Sequence, residues 1–237
     1  MLIPPRSAVS TLDDGGWTPL RITVRLDEPL VADLHRPLHL DGPLAWCAYL
    51  EWVEGTGRRP PPVRPGESPL DYALGLAVWT AEPTGPVADG RALGADGLAW
   101  GFACSAHTPV PAARTAVQVR RKPADGPMAR YTTDRRLHLG AGPYKARDVV
   151  HPAAWIGDIT WHALGDRVRV EQLLSRLTHI GRLGRHGYGR VQRIEVVEHH
   201  DRQAWRARWM PQAGGVRAPI RAPYWHDTRM MPAAAAP

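Results

Sequence analysis

Gly181-Arg182-Leu183-Gly184-Arg185-His186-Gly187-Tyr188-Gly189-Arg190 is a glycine-rich loop studded with arginines. It lies between an amphipathic segment, residues 168–180, and a strand-like run, residues 191–197. The order is helix, glycines, strand. Dinucleotide folds and P-loops run the other way, from strand through glycines into a helix whose N-terminus holds the phosphates. A loop that leaves the C-terminal end of a helix meets the negative end of its dipole. Attraction for an anion must then come from Arg182, Arg185 and Arg190 and from backbone N–H groups left approachable by missing Cβ atoms. Glycines for close approach, guanidinium groups for phosphate and Tyr188 for stacking suggest a nucleic-acid backbone, with His186 in the same loop. The plain alternative is a hairpin-like turn with a helix C-cap at Gly181.

Upstream, Val170, Leu173, Leu174, Leu177 and Ile180 share one helical face, with Arg169, Glu171 and Arg176 outside it. That spacing predicts a helix over 168–180. Residues 155–164 read as the strand before it, and Gly165-Asp166 as the turn between them. Downstream, 203–209 reads as a strand partnering 191–197, and the Ala/Pro-rich end beyond Met230 as a frayed tail. Near the N-terminus, Leu20-Arg21-Ile22-Thr23-Val24-Arg25-Leu26 alternates as a half-buried strand should. Asp41 is placed to cap a helix over 44–53, with Pro43 in its first turn. Apolar residues almost encircle this helix, which predicts burial. Residues 74–80, 97–105 and 115–121 read as strands, 58–69 as an exposed proline-rich loop and 125–142 as an arginine-rich one.

Strand, helix, several strands, helix, glycine loop and strand make an α+β fold with a ferredoxin-like or RRM-like β-α-β-β-α-β core. The expected plan is an N-terminal extension (1–19), one domain (20–225) with a β-rich, basic insertion at about 74–150, and a flexible tail (226–237). An antiparallel sheet with helices on one face leaves the other free for RNA. Phe102 is the one phenylalanine and the strands are not laced with tyrosine. Backbone contact through loops and arginines is therefore expected, rather than base stacking on the sheet.

The chain of 237 residues carries a net charge of +7, which favours a polyanionic partner. Lys122 and Lys145 are its two lysines; the other basic residues are arginines. A GC-rich genome explains that bias but not the clustering of Arg114, Arg120, Arg121, Lys122, Arg130, Arg135, Arg136, Lys145 and Arg147. Cys47 and Cys104, far apart in apolar surroundings, read as buried small hydrophobes, and two cysteines alone make no zinc site. No metal and no cofactor is expected. No apolar run is long enough to span a bilayer, and Met1-Leu2-Ile3-Pro4-Pro5-Arg6 lacks the layout of a signal peptide. A cytoplasmic location, without membrane contact, is the expectation.

The helix followed by the glycine loop and a strand resembles the signature of the RAMP superfamily of CRISPR-associated proteins. His39-Leu40-Asp41-Gly42-Pro43-Leu44-Ala45-Trp46 resembles the first helix of the small RAMP subunit of type IV CRISPR effectors. Gly142-Pro143-Tyr144-Lys145-Ala146 and Pro223-Tyr224-Trp225 extend the likeness over roughly residues 20–225. Residues 58–69 have no counterpart in it. The resemblance implies a crRNA-binding subunit of a ribonucleoprotein that holds the repeat-derived five-prime tag. Such a subunit abuts the neighbouring backbone subunit and lies near the target-flanking DNA. The RNA-binding residues would then be those of the glycine loop, Gly181 to Arg190, together with Arg120, Arg121, Lys122, Tyr144, Lys145 and Arg147, Arg120 to Lys122 forming one basic surface with Arg182 and Arg185.

An enzymatic reading competes. RAMP relatives include metal-independent endoribonucleases that use histidine, tyrosine or lysine as acid and base. His35, His39, His186 and the Tyr144–Lys145 pair are the candidates here, yet no spacing ties any of them to a partner, and no cleavage is expected. His199-His200, between Glu198 and Asp201, reads as a turn rather than a metal site. A third reading is a protein-interaction subunit with incidental charge. Trp46, Trp52, Trp155, Trp161, Trp205 and Trp209 are expected in the core, and Trp225 at a docking surface.

Overall fold

Leu20, Ile22 and Val24 alternate with Arg21, Thr23 and Arg25 along β1 (Thr18–Leu26), and the three aliphatic side chains are fully buried. Burying each stabilises by about 1.5–3 kcal/mol, which fixes the strand's register against the core. The computed structural model describes residues 16–60, 69–82, 93, 97–121, 140 and 146–235. After β1 come β2 (Leu38–His39), α1 (Asp41–Thr56), β3 (Val78–Ala81), β4 (Ala99–Phe102), β5 (Ala106–His107) and β6 (Pro111–Arg121). Then follow β7 (Arg147–Ile156), β8 (Ile159–Gly165), α2 (Arg167–Leu174), β9 (Val191–Glu198), β10 (Trp209–Pro219) and β11 (Met230–Ala235). The class is mixed α+β, strand-rich with several small sheets.

β1 is the middle strand of an antiparallel sheet ordered β8-β1-β9, with Ile22 opposite Trp161 on one side and Val196 on the other. The far edge of β8 is met by the chain after β4. There Leu164 N donates to Ala103 O at 2.9 Å and Ser105 N to His162 O at 2.7 Å. Leu44 and Cys47 of α1 pack with Val170 and Leu173 of α2 against Leu20, Ile22 and Trp161 in one core. Arg169 ties the helices by donating to both carboxylate oxygens of Glu51, at 2.9 and 2.5 Å. This pairing holds the Glu51 carboxyl below its ordinary range. Its stabilising effect is thus present at neutral pH and lost as pH falls through the depressed value. A second core joins Trp79 and Ala99 to Trp205, Ile220, Met231 and Ala233. A third and smaller one, Val31, Val117 and Ala153, seats the β6–β7 hairpin.

Several expected elements differ. Asp41 does not cap α1: Leu40 holds that position without a side-chain bond, and Asp41 is the first helical residue, fully buried. Trp46 on the same helix is 54% exposed, because burial follows the Leu44–Cys47–Ala48 face. Residues 155–164 are two strands broken at Gly157-Asp158; β7 pairs with β6 and β8 with β1, and Trp155 is exposed. The helix expected over 168–180 ends at Leu174. Arg176 N donates to Leu173 O and Leu177 N to Leu174 O, tightening the chain into a 3-10 turn. Leu177 and Ile180 still reach the main core, so the helical periodicity outlasts the helix.

Residues 203–209 form a 3-10 turn at Ala204–Arg206 and the start of β10, not a partner for β9. β10 pairs instead with β11, the Ala/Pro-rich segment expected to fray. Cys47 and Cys104 are free and buried. The loop expected over 125–142 lies outside the described residues except for residue 140, as do residues 61–68 of the proline-rich loop. Among the described residues, no helix is long and apolar enough to cross a membrane.

Candidate nucleic-acid interface

The chain on either side of the glycine stretch runs antiparallel. Ile180 N donates to Gly189 O at 2.8 Å and Val191 N to Thr178 O at 2.9 Å. The stretch thus closes on its own arms as a hairpin would, and Gly181 caps no helix. It also docks on the chain after β1: Gly189 N donates to Pro29 O at 2.9 Å and Arg182 N to Val31 O at 2.7 Å. Gly189 has φ 64°, and a Cβ on it would run into the Ile180 carbonyl. Its bare backbone is occupied by its own chain, which corrects the expectation that it opens a path for RNA. Gly187 differs. Its φ is 91°, but nothing lies within 4 Å of the position its Cβ would take. Leu183 and Tyr188 pack on Val31, Val117 and Ala153, joining the loop to the β6–β7 hairpin. Tyr188 is therefore half-buried packing as much as a stacking surface.

The arginines divide into paired and free. Arg190 donates to both carboxylate oxygens of Asp27, at 2.9 and 2.8 Å, so its charge is already answered. Arg182 and Arg185 are exposed, and Arg185 Nε lies 3.3 Å from His186 Nε2. On the hairpin, Asp148 is engaged by Gln118, at 2.9 and 2.8 Å. Among the described residues, Arg114, Arg120, Arg147, Arg182 and Arg185 have no ion-pair partner. Arg182 shares a cavity of about 280 Å³ with Arg114, His151, His35 and Asp33. The hairpin cation brought to the loop is thus Arg114. Arg120 sits roughly 20 Å further along β6, opposite Asp148 on β7, and Arg121 stands opposite Arg147. Lys122, Tyr144 and Lys145 lie outside the described residues.

The structure also assembles a buried polar cluster that no sequence spacing announces. The Arg208 guanidinium donates to the carbonyls of Phe102, Cys104 and Ile220 at 2.5, 2.9 and 2.5 Å and to the Tyr224 hydroxyl at 3.1 Å. The Tyr224 hydroxyl in turn donates to Asp41, which also accepts from Ala222 N at 3.2 Å. His39 stacks on Tyr224 with centroids 4.4 Å apart. The motif around Asp41 and the Pro223-Tyr224-Trp225 motif, remote in sequence, therefore meet. Between them and the glycine stretch lies a groove of about 650 Å³, lined by His39, Gly42, Pro43, Trp46, His179, Gly181, Gly184, Arg185 and Tyr224 among others. Beyond Trp46 and Tyr224 is an apolar cavity of about 480 Å³ that takes in Tyr49, Leu70, Tyr72 and Trp225, the last 75% exposed.

The histidines are set apart by burial. His35 and His186 are exposed. His39 is buried, and burial, reinforced by the Arg208 cation, pushes its pKa down from 6.5 to about 3, leaving the imidazole neutral. The unfolded chain binds a proton there that the fold excludes, so His39 subtracts stability as pH falls below 6.5. Between pH 6.5 and about 5, urea titrations of wild type should lose up to about 1.4 kcal/mol per pH unit more than His39→Gln. Equal slopes in the two proteins would show that His39 protonates freely in the fold. His199 and His200 follow the end of β9 and gather with His162, at centroid separations of 4.7 and 4.5 Å. Among the described residues, no group of three His, Cys, Asp or Glu is placed to hold a metal ion.

Residues 114–236 match the family model described as CRISPR type IV associated protein Csf3. Comparison with curated protein sequences finds no match.

Proposed function

The chain belongs to the Csf3 family of type IV CRISPR-associated proteins, and from that membership we propose that it is a non-catalytic, crRNA-holding subunit of the effector ribonucleoprotein. In this reading it is a RAMP protein that grips the repeat-derived five-prime tag, abuts the neighbouring backbone subunit and stands near the target-flanking DNA. The observation that carries it is convergence: residues from the Asp41 motif, the glycine stretch and the Tyr224 motif line one groove with Arg185, while Arg114 and Arg182 line a second cavity, and none of these three arginines has an ion-pair partner among the described residues. The antiparallel order β8-β1-β9, with residues 103–105 along the far edge of β8 and two helices on one face, supports a ferredoxin-like core. The free guanidinium groups supply sequence-independent attraction for phosphates. Trp225 offers an exposed aromatic surface to a neighbouring subunit.

The test is binding of single-stranded repeat RNA to the full chain across a salt series. Arg182→Ala and Arg114→Ala should each flatten the plot of log affinity against log salt by about 0.7. Arg190→Ala should leave the slope unchanged, because Asp27 already neutralises it. Unchanged slopes for Arg114 and Arg182 would move the RNA to another face. The same incubations examine the nuclease alternative, which the neutral His39 stacked on Tyr224 beside the groove keeps in view. No site-specific product is expected. A single cut abolished by His39→Ala, His186→Ala, Tyr144→Phe or Lys145→Ala would replace binding with catalysis.

A further inference from the structure

We propose that the groove between the start of α1 and the glycine stretch is a pocket for one unpaired nucleotide, its base held among Trp46, His39 and Tyr224 and its phosphate on Arg185. This rests on the RNA-binding reading above and adds to it the place where a base, rather than the backbone, is gripped.

The volume of about 650 Å³ lies well inside the range of ligand sites. A site that only tracked phosphates would need cations on an open surface, not a cavity of this size. The lining chemistry is selective. Among the described residues, no carboxylate lines the groove and Arg185 is the arginine that does, beside a neutral His39. The occupant is therefore anionic at one end and uncharged at the other. Aromatic surface supplies the uncharged end. Trp46 stacks on Tyr49 at 5.3 Å yet remains 54% exposed, and Tyr224 carries the stacked ring of His39. Every nucleobase has a π-face for such surfaces. Among the described residues, His39 Nδ1 has no hydrogen-bond partner, so an unanswered polar atom lies buried behind the stacking surface. An apolar protein segment would fit the neighbouring cavity better, where Tyr49, Leu70 and Tyr72 replace the arginine.

Two probes of equal charge separate base from backbone: a mixed-sequence single-stranded RNA and an abasic ribose-phosphate chain of the same length, each read by fluorescence anisotropy with the full chain. Wild type should prefer the base-bearing probe by about tenfold to a hundredfold. Trp46→Ala should bring that ratio close to one while retaining affinity for the abasic chain, and Trp46→Phe should keep most of it. Arg185→Ala should weaken both probes alike. If wild type and Trp46→Ala share one ratio, no base enters the groove, although RNA binding itself stands. If wild type binds neither probe, the nucleotide pocket and the RNA-binding reading fall together.

Discussion

Gly189→Ala is expected to destabilise the protein by about 3–5 kcal/mol, among the largest effects of any single methyl group added to this chain. Two independent penalties meet there. The residue sits at φ 64°, a conformation that costs an L-residue roughly 1–2 kcal/mol. The added Cβ also overlaps the carbonyl of Ile180. Relief by moving the backbone is blocked on both sides, since Gly189 O accepts from Ile180 N and Gly189 N donates to Pro29 O. Any shift large enough to clear the clash breaks the bonds that dock the loop beside β1. Gly187→Ala should cost only about 1–2 kcal/mol, because it meets strain without a clash. Urea unfolding of the two variants beside wild type reads the difference. A Gly189→Ala protein within about 1 kcal/mol of wild type would mean that the loop is not docked as described. The contrast also decides which glycine can report on RNA. Gly187→Ala leaves the loop folded, so weaker binding by that variant would be a direct effect.

What could be read from the chain depended on how local the cause was. β1 was legible because alternation is a local pattern, with Leu20, Ile22 and Val24 facing the core. The end of α2 was not. Leu177 and Ile180 remain core residues after the backbone leaves the helix, and apolar spacing alone cannot distinguish a helical turn from a buried extended one. The Gly157-Asp158 break was visible but sat inside an apolar run that read as one strand. Alanine and proline near the C-terminus suggested fraying. Small side chains also allow β11 to lie close against β10, and that tertiary use has no local signature. For the site, the clustering of cations was legible, but their availability was not. Arg190 is answered by Asp27, 163 residues away in the chain. Arg114 stood in the cluster without distinction, and the fold alone puts it beside Arg182. The motifs around Asp41 and Tyr224 were noticed separately; their meeting across 183 residues was not.

That meeting depends on Arg208, and Arg208→Met is expected to cost about 3–5 kcal/mol, the scale of breaking a buried charged cluster by removing one member. Methionine conserves much of the volume, so the loss is electrostatic rather than a cavity. The carbonyls of Cys104 and Ile220 would each lose a donor in a place closed to water, while that of Phe102 would keep Trp79 Nε1 and Cys104 N. Asp41, fully buried with its carboxylate 3.8 Å from the guanidinium, would lose its nearest cation. Burial works against the arginine's charge, but Tyr224 and Asp41 more than offset it, and its pKa stays raised. Asp41→Asn should be milder, since the amide oxygen can still accept from Tyr224, at the cost of setting its NH2 against Ala222 N. The double variant should fall short of the sum of the two, because the unpaired carboxylate is then absent. Urea unfolding of the four proteins closes that cycle; strict additivity would mean that Asp41 and Arg208 do not sense each other. The functional consequence follows from Tyr224, which Arg208 helps to hold against His39 at the edge of the groove. Arg208→Met should therefore also lower the preference for base-bearing over abasic RNA. Asp41→Asn, which keeps Tyr224 in place, should not.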